Sequence, residues 1–206
     1  MSMRWFLEGV TGLGRPPLPR ISGNGLILRT PDMADFPAWA ALREQSRGFL
    51  APWEPLWPED DLSRGAYRRR LVRLRKEAAE ESGFSFLIFT EETGQLLGGI
   101  TLSNVRRRAA QTGTLGYWMG EPFARHGFMT KSVRLLSDFA FRTLGLERLE
   151  AACLPENVAS IRVLEKAGFR REGYARAYLA IAGRRRDHLL YGLLKSDLFP
   201  PDSAAP

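Results

Sequence analysis

Apolar residues recur along this chain with two periods, and the places where the period changes divide it into elements. Alternating or short apolar runs bounded by Gly, Pro or polar clusters mark strands, and recurrence at i, i+3, i+4 marks helices. On that pattern strands are predicted over residues 25–29, 84–90, 96–103, 112–119, 148–154, 169–181 and 187–194. Helices are predicted from 32 to about 47, from 63 to about 82, over 130–144 and over 157–167. Phe36, Trp39, Ala40 and Leu42 line the apolar side of the first helix, and Tyr67, Leu71, Leu74 and Ala78 that of the second. Val133, Leu136, Ala140 and Leu144 do so in the third. Asp32 and Asn157 are oxygen-bearing residues suited to cap helix starts. Gly145 and Gly168 follow helix ends, where a left-handed residue is favoured. Residues 91–95 form a short Gly-containing hairpin link. Pro52, Pro55 and Pro58 exclude regular helix over 49–58, so its aromatics are expected to face a groove or the core.

This gives about seven strands and about four helices, mixed along the chain as in an α/β (α+β) domain. The domain is expected over 25–198. Residues 1–24, rich in Gly and Pro, read as an irregular arm, and 199–206 as a disordered tail.

A chain of 206 residues suits one domain, and 44% hydrophobic with 26% charged residues is ordinary globular composition. No apolar run approaches the roughly 18 residues of a membrane span. The Trp5-Phe6-Leu7 stretch is too short for a signal peptide. A cytoplasmic location without membrane attachment is expected. The single cysteine, Cys153, permits no intrachain disulfide and sits in an apolar run, as a small buried hydrophobe would. The net charge is +7, and only Lys76, Lys131, Lys166 and Lys195 among the 30 basic residues are lysine. Such a surface favours anionic partners: a phosphorylated cofactor, RNA, or an RNA-coated particle. It disfavours polycationic substrates. Arg68, Arg69, Arg70, Arg73 and Arg75 form either an RNA-facing patch or a solvated helix face.

Two stretches carry candidate chemistry. Over 115–130 a strand gives way to a loop with Arg125, His126 and Gly127, and a long helix begins. Unpaired N–H groups and partial positive charge at a helix start suit a pyrophosphate. Gly127 lets backbone approach the phosphates. Over 155–169, Asn157 opens a short helix that stops at Gly168-Phe169; read alone, Asn157 and Ser160 are helix-start residues and nothing more.

Together these stretches resemble the GNAT superfamily of N-acetyltransferases. Its members carry a Gln/Arg-x-x-Gly-x-Gly/Ala loop before a helix, and an Asn about eleven residues before a Gly-Phe pair. Gly127 and Met129 fall at the fourth and sixth loop places, and Asn157 with Gly168-Phe169 fits the second spacing. The stretches 49–55, 102–105, 172–179 and 186–188 extend the resemblance to the ribosomal-protein-alanine N-acetyltransferase branch. It covers roughly residues 25–198.

The resemblance implies a GNAT fold, acetyl-CoA as cosubstrate, no metal, and a protein N-terminus as acceptor, with ribosomal proteins the class in view. It implies that Arg125, His126, Gly127, Phe128, Met129 and Thr130 hold the pyrophosphate. Trp118 and Met119 would pair with the pantetheine amides. Asn157 would bond the pantetheine arm, Ser160 would lie near the thioester sulfur, and Val163 and Lys166 follow on the same helix. Ser160, Asn157 and Glu54 are the catalytic candidates, and Trp53, Glu54, Asn104, Tyr117 and Tyr178 the candidates for the peptide groove. Asp187-His188 looks like an oriented imidazole, although a histidine on an apolar strand is more often structural.

The chain also departs from the family. Ala124 stands at the first loop place, with Arg125 one place later. Leu164 stands where many members place a tyrosine acid, and Thr114-Leu115-Gly116 where a glutamate base often sits. Two other readings compete: a GNAT enzyme acting on a small-molecule amine, and a weakly catalytic acetyl-CoA-binding or RNA-binding module.

Overall fold

The structure, a computed structural model, describes residues 18–199. The expected tail beyond Phe199 and most of the expected arm lie outside the described residues. Eight strands form one sheet: β1 (Arg20–Gly23), β2 (Leu26–Arg29), β3 (Phe84–Thr90), β4 (Leu96–Arg106), β5 (Thr112–Met119), β6 (Arg148–Cys153), β7 (Arg170–Ile181) and β8 (Arg184–Leu194). Their order is β1-β2-β3-β4-β5-β6-β8-β7. Every neighbouring pair is antiparallel except β5–β6. The helices are α1 (Phe36–Gln45), α2 (Arg47–Leu50), α3 (Arg64–Ala79), α4 (Phe128–Asp138), α5 (Val158–Ala167) and α6 (Lys195–Leu198).

The sheet has one strand more than the pattern predicts, because β1 occupies the end of the supposed arm. Ile21 is buried and pairs with Leu28, and the turn between the strands uses positive φ at Asn24 (54°) and Gly25 (77°). A tight hairpin needs that geometry. Two positive-φ residues, Ala182 (47°) and Gly183 (77°), likewise turn β7 into β8. The arginines at 184–186 hid the start of β8, because an exposed hairpin tip has no apolar alternation to read. The two extra helices are single four-residue turns, α2 and α6. The predicted helix over 130–144 is α4 followed by a π turn over Phe139–Thr143. There Phe139 meets Phe84 and Phe86 edge-on at 5.8 and 6.0 Å.

Both faces of the sheet are covered. On one, α4 and α5 bury Val133, Leu136 and Leu164 against Ile88, Ile100, Leu149 and Leu193. On the other, α1 and α3 bury Trp39, Leu42, Tyr67 and Leu71 against Leu87, Phe89 and Leu96. Ser63 caps α3, accepting from the Ala66 N–H at 3.1 Å. No helix among the described residues is long and apolar enough to cross a membrane.

The sheet forks at its centre. β5 pairs with β4 along its whole length, from Arg106↔Thr112 to Gly98↔Met119. It pairs with β6 only from Thr112↔Arg148 to Leu115↔Ala151. Residues 116–119 therefore lie beside no strand on the β6 side, while β6 runs on with β8 to Cys153↔Leu189. The wedge between them opens toward the starts of α4 and α5.

Candidate active site

The start of α4 is shaped for an anion. Arg125 (φ 66°) and Gly127 (φ 79°) hold left-handed conformations, which glycine adopts at no steric cost. Gly127 is the N-cap, and no side chain caps this helix. The first helical bond here runs from the Lys131 N–H to the Gly127 carbonyl at 3.1 Å. The N–H groups of Phe128, Met129 and Thr130 come before it and point out of the helix start, where they can bind phosphate oxygens. Met129 is buried and anchors the turn, and the His126 ring stacks on Phe128 at 5.9 Å.

At α5, Asn157 Oδ1 accepts from the Ser160 N–H at 3.0 Å, so the cap reading of Asn157 holds. Its amide nitrogen has no partner among the described residues. Val163 and Lys166 follow Ser160 at helical spacing, and the Lys166 carbonyl accepts from Arg134. The Ser160 hydroxyl lies 2.8 Å from the Tyr117 hydroxyl, which comes from the unpaired part of β5. Burial pushes the Tyr117 hydroxyl above the ordinary phenol range, against the lowering effect of its bond with Ser160. Cys153, at the end of β6, is a buried free thiol that burial pushes up to about 11. Leu164, at the place of the usual tyrosine acid, is a core residue.

Tyr117 and Trp118 lie on opposite faces of the sheet. Successive strand residues face opposite sides of a sheet. Tyr117 faces α5 with its cross-strand partner Ile100, and Trp118 faces α1 and α3 with Gly99. The bare backbone of Gly99 lets the Trp118 indole lie against β4; a Cβ at Gly99 would sit 2.5 Å from Trp118 Nε1.

On that second face the loop over 51–58 is fastened down. Arg43 of α1, 6% exposed, donates two bonds of 2.7 Å to the Glu54 carboxylate. Its guanidinium lies 4.0 Å from the Trp57 ring centroid and 4.9 Å from that of Trp118. Trp57 Nε1 also donates to Glu54, at 2.7 Å, and the Glu54 carbonyl accepts from the Ala182 N–H at the β7–β8 turn at 2.9 Å. Three donated hydrogen bonds therefore fix the Glu54 carboxylate in place. Glu54 thereby sits in a clamp joining α1, the loop and the hairpin. Sequence reading missed Arg43, although an arginine four residues after Trp39 on an apolar helix face is the mark of a buried ion pair.

Trp53 is partly exposed on the same loop. Tyr178 is exposed on β7, with its ring 5.6 Å from His188. His188 is buried, and its Nδ1 is 3.0 Å from the Arg186 carbonyl. Asp187 does not orient it: its carboxylate accepts from the Tyr174 hydroxyl and, at 2.7 Å, from the Ala177 N–H. Adjacent strand residues point apart, so Asp187-His188 could not pair. Asn104 lies four residues past Ile100 on β4 and so roughly 13 Å along the strand from the level of Tyr117. Of the six arginines on α3, three face acids: Arg69–Asp60 at 2.5 Å, Arg70–Asp61 at 2.8 Å and Arg73–Glu77 at 3.6 Å. Among the described residues no group of three or more His, Cys, Asp or Glu is placed to hold a metal ion.

Residues 25–170 match the family described as the acetyltransferase (GNAT) domain. The chain is 31% identical over 186 residues to the ribosomal protein uS5-alanine N-acetyltransferase of Escherichia coli, covering 89% of this chain and 95% of that one. It is 32% identical over 177 residues to the probable N-acetyltransferase YjcK of Bacillus subtilis, covering 86% and 98%. The solved structure of Mycobacterium smegmatis RimJ in complex with CoA-disulfide matches with a TM-score of 0.81 at 32% identity, covering 85% of this chain and 84% of that one.

Proposed function

This chain belongs to the GNAT acetyltransferase family, and on that premise we propose that it transfers acetyl from acetyl-CoA to the N-terminal α-amine of a protein, the N-terminal alanine of a ribosomal protein being the favoured acceptor. The observation that carries this reading is the fork in the sheet, with hydroxyls on one face and a walled groove on the other. The uncapped start of α4 supplies backbone donors for the pyrophosphate of the cosubstrate, and the unpaired edge at 116–119 offers backbone groups for its amide arm. The name of the Escherichia coli relative supports the acceptor class.

In the reaction the neutral amine attacks the thioester carbonyl carbon. A C–N bond forms and the C–S bond breaks. The amine nitrogen gives up one proton, and the departing sulfur takes one. An α-amine has a pKa of about 7.7–8.0 against about 10.4 for lysine, so roughly a tenth is already neutral at pH 7. Strong general-base assistance is therefore less needed than for lysine, and positioning supplies much of the rate. Ser160 donates to the leaving sulfur, and the Tyr117 hydroxyl, 2.8 Å away, supports it from behind. This pair takes the place of the tyrosine that Leu164 replaces.

The test is incubation of peptides bearing a free N-terminal alanine with acetyl-CoA, read by mass spectrometry and thiol release. The expected result is one acetyl on the first nitrogen for each thiol freed. Acetyl on internal lysines, or a preference for free small amines, overturns the acceptor claim.

A further inference from the structure

A cavity of ≈ 310 Å³ lies between α3 and the sheet, on the Trp118 face. Its floor includes Ser85, Gly99 and Thr101, and Trp118 stands at its edge beside the fork. The helix stands off the sheet here for a reason visible in the sequence. Elsewhere β3 and β4 present Phe89 and Leu96 to this face, but here, beside Leu87, they present two hydroxyls, bonded to each other at 3.1 Å, and a bare glycine.

Donors outnumber acceptors along the wall, on which Glu77 is the one carboxylate among the described residues. Tyr67 lines the cavity, and its buried hydroxyl has no hydrogen-bond partner among the described residues. Arg70 lies over the Trp39 ring at 4.7 Å and bonds Asp61 with one nitrogen. Arg73 stands 3.6 Å from Glu77, longer than a hydrogen bond, so its N–H groups remain available. An unsatisfied buried phenol and a loosely paired guanidinium call for an anionic acceptor such as a carboxylate.

The cavity opens on the face opposite the Ser160 and Tyr117 hydroxyls, so an acceptor held in it reaches them through the fork at β5. From β5 to β3 is two strand spacings, about 10 Å. An extended peptide covers that in about three residues, and its first and third side chains point the same way. We propose that this cavity is a specificity subsite for the acceptor, receiving an aspartate or glutamate at its third residue. The inference rests on the N-terminal acceptor reading and deepens it.

The experiment uses the full chain and three otherwise identical peptides that begin Ala-Ala-X, with X as Glu, Ala or Lys. Expected is a kcat/KM for Glu about tenfold or more above Ala, the order of one charge-assisted hydrogen bond, with Lys below Ala. Arg73→Ala and Tyr67→Phe should each bring the ratio of the Glu to the Ala kcat/KM down toward one. Arg73→Glu should move the preference toward Lys. Equal acetylation of all three peptides sinks the subsite and leaves the acceptor class standing, as does a Glu preference indifferent to Arg73. Acetylation of none of them sinks both.

Discussion

The closest pairing of functional groups in the wedge is between two hydroxyls, Ser160 and Tyr117. If Ser160 is the proton donor to sulfur, Ser160→Ala should lower kcat by about 10²-fold, a usual size for a positioned acid, with the acetyl-CoA KM little changed. Tyr117 acts through Ser160, so Tyr117→Phe should cost less. In the double variant it should add almost nothing to the loss from Ser160→Ala. Additive losses would mean that the tyrosine only packs. Cys153 invites a separate check. With its thiol pushed up to about 11 and its side chain buried, almost no thiolate exists at neutral pH. Iodoacetamide at pH 8 should label it slowly in the native protein and fully in urea, counted by mass spectrometry.

At the scale of elements, the clamp formed by Arg43, Glu54 and Trp57 ties α1, the proline-rich loop and the β7–β8 turn into one wall. Removing one partner leaves a largely buried charge unpaired, a change worth about 3–5 kcal/mol at fully buried sites. Glu54→Ala should therefore lower Tm markedly and raise the acceptor KM more than the acetyl-CoA KM. An apolar double replacement of Arg43 and Glu54 should recover much of the Tm but not the acceptor KM. Gly127→Ala forces a Cβ into a left-handed conformation, so it should cost about 1 kcal/mol and raise the acetyl-CoA KM.

The elements that the sequence disclosed are those with local signals. The Asn157 cap, the Gly168 stop and the Gly127 turn are each written in neighbouring residues. What stayed hidden depends on pairing across the chain. β1 is four residues of ordinary polarity made a strand by β2. The Arg43–Glu54 pair is hidden likewise, since its partners stand eleven positions apart and meet only in three dimensions. The face that Tyr117 takes is also not written at the tyrosine, because the strand's phase is set by the core.

For the whole molecule, charge pairs join the two ends of the sheet's second half. Arg148 of β6 bonds both Glu150 and Glu172, and the Arg148 guanidinium holds the Glu172 carboxyl below its usual range. A carboxyl depressed by folding stabilises the fold above its unfolded pKa of about 4.3, and that contribution fades as pH falls through the depressed folded value. The group is well exposed, so the effect is small. Glu172→Gln should lower Tm slightly at pH 7 and leave it unchanged at the acid end of a thermal series in low salt. An equal loss at both ends would point to packing rather than charge.

The fork has a dynamic consequence. Between β5 and β6 only the rungs from Thr112↔Arg148 to Leu115↔Ala151 join the five-stranded and three-stranded parts of the sheet. With so few rungs, that seam is expected to open first, and on the proposed reading the cosubstrate would lie in it as a temporary strand. Deuterium uptake by the amides of 112–119 should accordingly slow on adding coenzyme A, while the β3–β4 hairpin hardly responds.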